Sequence, residues 1–282
     1  MILRSLRRPL LAALVATAAL LTVVTVGSSP VDAEPTWAPE ASATIHPGVQ
    51  TDTAGGQCTA NFIYTAGTDV YIGQAAHCAS TGGQTDTDGC LAGSLPLGTP
   101  VTVDGAAHPG TLAYSSWLTM QANGETDPDT CAYNDLALVR LDPADVASVN
   151  PTIPHWGGPV GVDTNGTTQG ERVYSYGNSS LRFGITQLSP KTGISLGSGG
   201  GWSHDVYTVS PGIPGDSGSA FLSSTGQAMG TLSTLQIAPL PAGNGVGDLS
   251  HELAYARAHG LPDLQVVNGT RAFNGSQLPL GI

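Results

Sequence analysis

The chain has 282 residues, 38 of them glycine, and a formal net charge of −12 at pH 7. That length suffices for one large β domain or for two small domains that share a cleft. The acidic surface argues against nucleic-acid binding and against docking on anionic lipid, and it favours solubility outside the cell.

The N-terminal segment has the pattern of a secretory signal peptide. Three arginines stand within the first eight residues, an apolar run follows over residues 10–26, and small residues precede Glu34. An uncleaved membrane anchor is the alternative, but the run is at the short limit for spanning a bilayer. We therefore predict cleavage after Ala33, removal of residues 1–33, and a secreted, extracellular product with no membrane attachment.

Short β-rich runs recur between turn residues along the rest of the chain. They are residues 61–64, 69–72, 137–139, 172–176, 205–209 and 219–222. Many short strands at close spacing, bounded by Gly, Asn, Asp and Pro, are typical of an all-β sandwich or barrel. Residues 147–170 are rich in Pro, Gly, Asn and Thr and indicate a crossover between two halves.

One segment near the C terminus is predicted to be a helix. Asp248 can cap its first turn, Gly260 ends it, and the apolar residues Leu249, Leu253 and Ala256 fall on one face. No other stretch carries a comparable set of signals.

The four cysteines indicate two disulfides in an exported chain, and three pairings are possible. No spacing is Cys-x-x-Cys, and no pair stands with histidines as in a zinc finger. We expect no metal site and no cofactor.

Two polar residues at the ends of predicted strands are candidates for a catalytic site. His77 comes directly after a strand and two small residues, and Cys78 can pin its loop. Asp135 stands immediately before the apolar run 136–139, so its carboxylate is expected to be buried. Burial costs free energy unless the carboxylate is hydrogen-bonded, and a histidine N–H would be a suitable donor.

The third feature is a glycine-rich turn around Ser217, over residues 212–219. The glycines allow a sharp turn that exposes the serine and directs N–H groups at whatever it attacks. A serine hydroxyl needs an adjacent base, histidine suits that role near neutral pH, and an aspartate fixes the imidazole tautomer. The N–H groups of Gly215 and Ser217 could bind a developing oxyanion, commonly worth about 3–4 kcal/mol.

These blocks, residues 75–78, 135–138 and 215–218, resemble in order the three signature motifs of the chymotrypsin family of peptidases. The resemblance extends over about residues 57–260. It implies that His77, Asp135 and Ser217 form a catalytic triad.

The fold implied by the resemblance is all-β, with two six-stranded antiparallel barrels, the active-site cleft between them, and a C-terminal helix. An N-terminal segment, residues 34–56, would precede a first barrel over residues 57–155 that carries the histidine and aspartate. Residues 156–282 would form the second barrel with the serine, the helix and a tail.

The resemblance also implies a function and a disulfide pairing. It predicts a serine endopeptidase that hydrolyses polypeptide substrates through an acyl-enzyme intermediate, and we expect the protein to be a monomer. The implied disulfides are Cys58–Cys78, which would close the histidine loop, and Cys90–Cys131.

The sequence departs from the animal members of the family near Asp216. No N-terminal activation motif is present that could pair with this carboxylate, so another cation must do so. We predict Arg172 for that role. Ser219 replaces the glycine that is usual in animal members, as in bacterial relatives.

The resemblance places the base of the specificity pocket near Pro211 and its wall along residues 231–234, where Ser233 would hydrogen-bond the substrate backbone. No acidic residue lies in either stretch. We therefore predict cleavage after small or apolar side chains; an acid reaching the pocket from Asp205 or Asp248 would change that preference.

Other functional classes fit less well. An α/β-hydrolase requires Gly-x-Ser-x-Gly, which Ser219 interrupts. In a zinc peptidase a second histidine would stand at Tyr255, and the calcium-loop pattern near Asp86 and Asp88 is incomplete. A catalytically inactive binding protein on the same fold is the remaining alternative. The six other histidines are expected to be structural or on the surface.

Overall fold

The computed structural model describes residues 35–83, 87–199, 201–236 and 242–279. The predicted signal peptide, residues 1–33, and Asp86 lie outside these ranges. No helix in the described ranges is both long and apolar enough to cross a membrane.

The first half forms an antiparallel sheet of eight strands, one of which comes from the C-terminal tail. The strands are β1 (Gln50–Thr53), β2 (Gly56–Thr59), β3 (Ile63–Ala66), β4 (Asp69–Ala75), β5 (Pro100–Val103), β6 (Gly110–Ser115), β7 (Leu136–Arg140) and β14 (Gln265–Val266). Their order across the sheet is β14-β3-β4-β7-β6-β5-β1-β2.

This sheet closes on itself through one continuous chain segment, residues 56–66. The segment pairs with β1 through β2 and with β4 through β3. Between the two strands, Ala60 N donates to Val49 O and Asn61 N donates to Gly73 O, at 2.9 and 2.8 Å. With β2 and β3 counted as one bent strand, the first half has the six predicted strands, and β14 is an addition.

The second half is a closed antiparallel barrel of six strands, as predicted. The strands are β8 (Arg172–Tyr176), β9 (Pro190–Gly199), β10 (Ser203–Thr208), β11 (Ala220–Leu222), β12 (Ala228–Gln236) and β13 (Gly243–Asp248), in the barrel order β10-β13-β12-β11-β8-β9. Its interior is apolar and is filled by Val173, Val206, Phe221, Met229, Leu232 and Val246.

Within the described ranges, three α-helices accompany the sheets: α1 (Ser116–Asn123), α2 (Pro128–Tyr133) and α3 (Leu249–Ala258). Helix α3 is the predicted one, and the Asp248 carboxylate accepts a hydrogen bond from His251 N at 3.0 Å, which caps it. Helices α1 and α2 were not predicted from the sequence. Both are short helices, of eight and six residues, with serine and aspartate caps that are also common in turns.

The tail beyond α3 contacts both halves. Its strand β14 pairs with β3, and farther along Gly158 N in the crossover donates to Arg271 O at 2.9 Å. The Arg271 guanidinium pairs with Glu40, and the ring of Phe273 lies 5.1 Å from that of Tyr174 on β8. The tail therefore fastens the N-terminal segment, the crossover and the second barrel together.

Candidate active site

The pairing of β4 with β7 brings His77 and Asp135 together. His77 lies in a 3₁₀ turn immediately after β4, and Asp135 immediately precedes β7, with Ala75 opposite Leu136 in the register. The His77 Nδ1 atom lies 2.7 Å from Asp135 Oδ2, and the His77 main-chain N–H donates to Oδ1 at 2.9 Å. The carboxylate therefore fixes both the ring and the backbone of the histidine.

Asp135 receives a further hydrogen bond from the second barrel. The hydroxyl of Ser233 donates to Asp135 Oδ2 at 2.5 Å. The Ser233 side chain thus contacts the aspartate, while its main chain lies where the register between β12 and β13 shifts and is unpaired. That main chain is the part of Ser233 left for the predicted contact with a substrate backbone.

Burial and charge act in opposite directions on His77. Burial disfavours the imidazolium, but the Asp135 carboxylate and its hydrogen bond outweigh this effect and raise the pKa of His77 above its ordinary value. The side chain remains 25% exposed, so the ring is accessible from the cleft.

Ser217 lies in a tight turn between β10 and β11. Gly218 has φ +86°, and a β-carbon there would lie 2.7 Å from Thr59 O, so the turn requires glycine. Thr59 N donates to Ser217 O at 2.8 Å and pins the turn to the first half. Ser217 and His77 line the same cleft, although no hydrogen bond joins them within the described residues. In enzymes, hydrogen bonds between a nucleophile and its base are often long without substrate and tighten when substrate binds.

The same turn leaves two N–H groups free. Across the described ranges, neither Gly215 N nor Ser217 N donates a hydrogen bond. Ser179 Oγ donates to Pro214 O at 2.5 Å. Because the C=O and N–H of a trans peptide point in opposite directions, this bond turns the Gly215 N–H away from Ser179.

The cations that pair with Asp216 are Arg182 and Lys191, and the prediction of Arg172 is wrong. Asp216 Oδ2 lies 2.6 Å from Arg182 Nη2 and 3.0 Å from Lys191 Nζ. Arg172 is exposed at the outer end of β8. Asp216 also accepts from Ser179 N and Ile213 N, so its carboxylate anchors the whole turn.

The cleft has a volume of about 990 Å³. The side of the cleft that we predicted to receive the substrate side chain is lined by residues 212–215 and 232–235 and by Asn244. Pro211, which we predicted at the pocket base, does not line the cleft. Its carbonyl instead accepts hydrogen bonds from Arg182 and Lys191.

Asn244 bridges the two segments that line this side of the cleft. Its Oδ1 accepts from Gly212 N at 2.9 Å on one wall, and its Nδ2 donates to Thr234 O at 3.2 Å on the other. The side chain is 1% exposed. The two walls are therefore bridged by a neutral amide whose polar atoms are already paired.

Asp205 and Asp248, the two acids that could have altered the predicted side-chain preference, form hydrogen bonds outside the cleft. Asp205 Oδ1 accepts from Gln236 Nε2 at 2.5 Å. Asp248 Oδ2 lies 2.9 Å from His204 Nε2, and its Oδ1 caps α3. Neither carboxylate lines the cleft.

Both disulfides of the implied pairing are present. Cys58 on β2 is bonded to Cys78 in the histidine turn, with the Cα atoms 6.1 Å apart, and Cys90 is bonded to Cys131 on α2. The first bond ties the His77 turn to the chain that also contacts Ser217. Both groups of close potential metal ligands among the described residues contain these bonded cysteines, which offer no thiolate.

Sequence reasoning missed Glu252, a fully buried residue of α3 whose Oε1 accepts from Asp135 N at 3.2 Å. A signal was present. Glu252 falls on the same helical face as Leu249, Leu253 and Ala256, so the pattern placed a carboxyl group on the buried face.

Comparison with known proteins supports the fold. No protein-family model matches the sequence, and a search of curated proteins finds no significant match. Protease A of Thermobifida fusca is similar in structure, with a TM-score of 0.51 and 18% identity over 80% of this chain and 100% of the protease. A glutamic-acid-specific serine protease that uses a novel histidine triad in substrate binding is also similar in structure. Its TM-score is 0.50, with 16% identity over 79% of this chain and 100% of that protease. The chain therefore has the two-barrel fold of chymotrypsin-like bacterial serine proteases.

Proposed function

We propose that this protein is a secreted serine endopeptidase. The observation that carries the proposal is the hydrogen-bonded His77–Asp135 pair in one cleft with Ser217 and two free N–H groups. The fold alone would not suffice, because one fold hosts many functions. The site supplies a nucleophile, a base, an orienting carboxylate and an oxyanion-binding pair.

The reaction follows from these positions. His77 takes the proton of Ser217 as the hydroxyl attacks the carbonyl carbon of the scissile peptide bond. The imidazolium then protonates the leaving amine, which gives an acyl-enzyme. Water, deprotonated by the same histidine, then attacks the carbonyl carbon of the acyl group. The ester bond to Ser217 breaks, the imidazolium returns its proton to the serine oxygen, and the second product leaves as a carboxylic acid. Asp135 holds the imidazole in the tautomer that this sequence needs.

The oxyanion of each tetrahedral intermediate would lie against the N–H groups of Gly215 and Ser217. Donors that are fixed before the reaction need no reorganisation when charge develops. Here the fixing comes from Asp216, which anchors the turn between the two donors, and from Ser179, which holds the Pro214–Gly215 peptide. Loss of one such donor commonly costs about 3–4 kcal/mol of transition-state stabilisation.

The pocket favours small or apolar side chains. A pocket attracts Arg or Lys when a buried acid offsets the cost of desolvating the cation. Here the base is Asn244 with its amide already paired, and Leu232 lines the wall. Apolar burial, at about 25 cal/mol per Å², is then the main attraction available.

Specificity for glutamate through histidines has no counterpart in this cleft. The glutamic-acid-specific neighbour uses a histidine triad in substrate binding. Among the described residues His77 is the only histidine that lines this cleft. The two proteins share a fold, and the residues of this chain do not support the same substrate preference.

Secretion and a monomeric state complete the proposal. Two disulfides support an oxidising compartment, and the signal-like N terminus supports export. The acidic surface favours solubility, and the cleft is formed by residues of a single chain, which supports a monomer.

The proposal is tested by assaying hydrolysis of peptide substrates by wild-type protein and by Ser217→Ala. Turnover should fall to the residual level in Ser217→Ala, while Ser224→Ala, an exposed serine outside the cleft, should be unaffected. A wild-type protein that binds peptides without cleaving them would instead favour the inactive binding protein.

A further inference from the structure

Glu252 is a buried carboxyl group with no cationic partner. Its side chain has no solvent exposure, and within the described ranges no lysine, arginine or histidine pairs with it. An isolated buried carboxylate is very costly, and a group in that position becomes neutral by retaining its proton.

The groups around Glu252 make ionisation still less favourable. The negative charges of Asp135 and Asp248 both disfavour the carboxylate form of Glu252, and the charge of that carboxylate in turn raises the pKa values of Tyr64 on β3 and Tyr114 on β6. Burial, followed by the charge of Asp135, raises the pKa of Glu252 well above its ordinary value. The hydrogen bonds from Asp135 N and Thr231 act in the opposite direction and do not outweigh burial.

The carboxyl group touches both halves of the active site. Oε1 accepts from Asp135 N at 3.2 Å, and Oε2 lies 3.1 Å from Thr231 Oγ1 on β12, two residues before Ser233. A protonated carboxyl group can serve here, since the hydroxyl of Thr231 can either donate or accept. The Glu252 carboxyl group fits here because residue 247 is glycine: a β-carbon at Gly247 would lie 2.6 Å from Glu252 Oε1.

The Asp135 side chain and main chain are thus held by different partners. His77 and Ser233 form hydrogen bonds with the Asp135 carboxylate, and Glu252 accepts a hydrogen bond from the Asp135 main-chain N–H. We propose that Glu252 is a positioning residue that remains protonated in the folded protein and fixes Asp135 against His77. The expected effect of Glu252 on turnover rests on the proposed peptidase function. Its expected effect on the pKa of His77 does not depend on that function.

The first test compares Glu252→Gln with Glu252→Ala. Glutamine is neutral and keeps a carbonyl oxygen for Asp135 N, so kcat and KM should stay within about threefold of wild type. Glu252→Ala should lower kcat on the order of 10- to 100-fold with KM nearly unchanged, because Asp135 is misplaced. Glu171→Ala, outside the cleft, is the matched control. Wild-type kcat in Glu252→Ala would overturn the proposal.

The second test does not require turnover. The pKa of His77, followed by NMR, should fall towards its ordinary value in Glu252→Ala and stay raised in Glu252→Gln. Thr231→Val keeps the shape of the side chain and removes the hydroxyl, so it should lower the pKa of His77 by a smaller amount. If Glu252→Ala does not fold, Thr231→Val replaces it in this test. Identical His77 titrations in all variants would overturn the positioning role even if the protein proved to have no peptidase activity.

The third test examines the proton itself. A carboxyl group with a raised pKa stabilises the folded state fully below its unfolded pKa of about 4.3, and this contribution is lost as pH rises. The unfolding temperature of Glu252→Gln relative to wild type should therefore increase from about pH 5 to pH 9 and be constant below pH 4. Parallel curves for the two proteins would show that Glu252 is ionised, contrary to the proposal.

Discussion

The ammonium group of Lys191 lies 3.0 Å from the carboxylate of Asp216, and neither side chain is exposed to solvent. Arg182 joins the pair from the loop after β8. The chain thus supplies from its own interior the cations that hold the serine turn. Burial and the nearby Arg182 charge lower the pKa of Lys191, against the opposing effect of Asp216.

Asp216→Asn should destabilise the protein by about 3–5 kcal/mol, because two buried cations lose their anion. Lys191→Met should cost less, since Arg182 remains paired at 2.6 Å. Arg172→Ala, an exposed arginine on the adjacent strand, is the control and should change stability by no more than about 0.5 kcal/mol. Urea unfolding measures all three, and an equal effect of Arg172→Ala would contradict the assignment.

Asp135→Asn should leave the fold intact and reduce turnover on the order of 10⁴-fold, because the imidazole would adopt the wrong tautomer. Peptide hydrolysis measures this loss, and circular dichroism checks the fold. A nearly neutral substitution would mean that a different carboxylate orients His77.

The pH dependence should reflect the raised pKa of His77. Activity requires the neutral imidazole, so its acid limb should have a midpoint above 6.5, and Asp135→Asn should lower the His77 pKa. The same pair stabilises the folded state fully below pH 6.5, and this stabilisation is lost as pH rises through the raised pKa. An acid limb well below 6.5 would contradict the geometry. Rate profiles and NMR titration measure these values.

Peptides that differ only in the residue before the cleaved bond should be hydrolysed faster after Ala, Val, Leu or an aromatic residue than after Arg or Lys. Asn244→Asp places an acid at the pocket base and should shift the preference towards Arg and Lys by tenfold or more. Asp205→Asn is the control, because Asp205 is bound to Gln236 outside the cleft. A tenfold preference for Arg or Lys in the wild type would show that the pocket contains an acid we have not assigned.

The tail should stabilise the fold mainly through apolar packing. Phe273→Ala removes a ring packed on Tyr174 and should cost about 2–4 kcal/mol. Arg271→Ala breaks an exposed ion pair with Glu40 and should cost no more than about 1 kcal/mol. Thermal unfolding ranks the two, and the reverse order would contradict this account of the tail.

The sequence predicted helix α3 and strands β8, β10 and β11 of the second barrel, because their signals are local, but it did not predict β9, β12 or β13. Residues 172–176 coincide with β8, and Asp248 caps α3. His77, Asp135 and Ser217 could be grouped because each lies in a distinctive motif and the three stand in a fixed order.

The remaining features depend on contacts between residues distant in the chain. Lys191 faces Asp216 because of how β8 pairs with β9, and no local pattern distinguishes it from Arg172. Asn244 reaches the pocket because β13 pairs with β12 opposite Leu235. The addition of β14 to the first sheet likewise depends on where the tail folds back.

Labelling with a fluorophosphonate probe tests the central claim most directly. The probe reacts with a serine hydroxyl only when a base activates it, and the account predicts one adduct, on Ser217, identified by mass spectrometry of the labelled peptide. His77→Ala should abolish that adduct while the protein remains folded. Labelling of another residue, or no labelling of the folded wild-type protein, would contradict the assignment of this cleft as a serine peptidase active site.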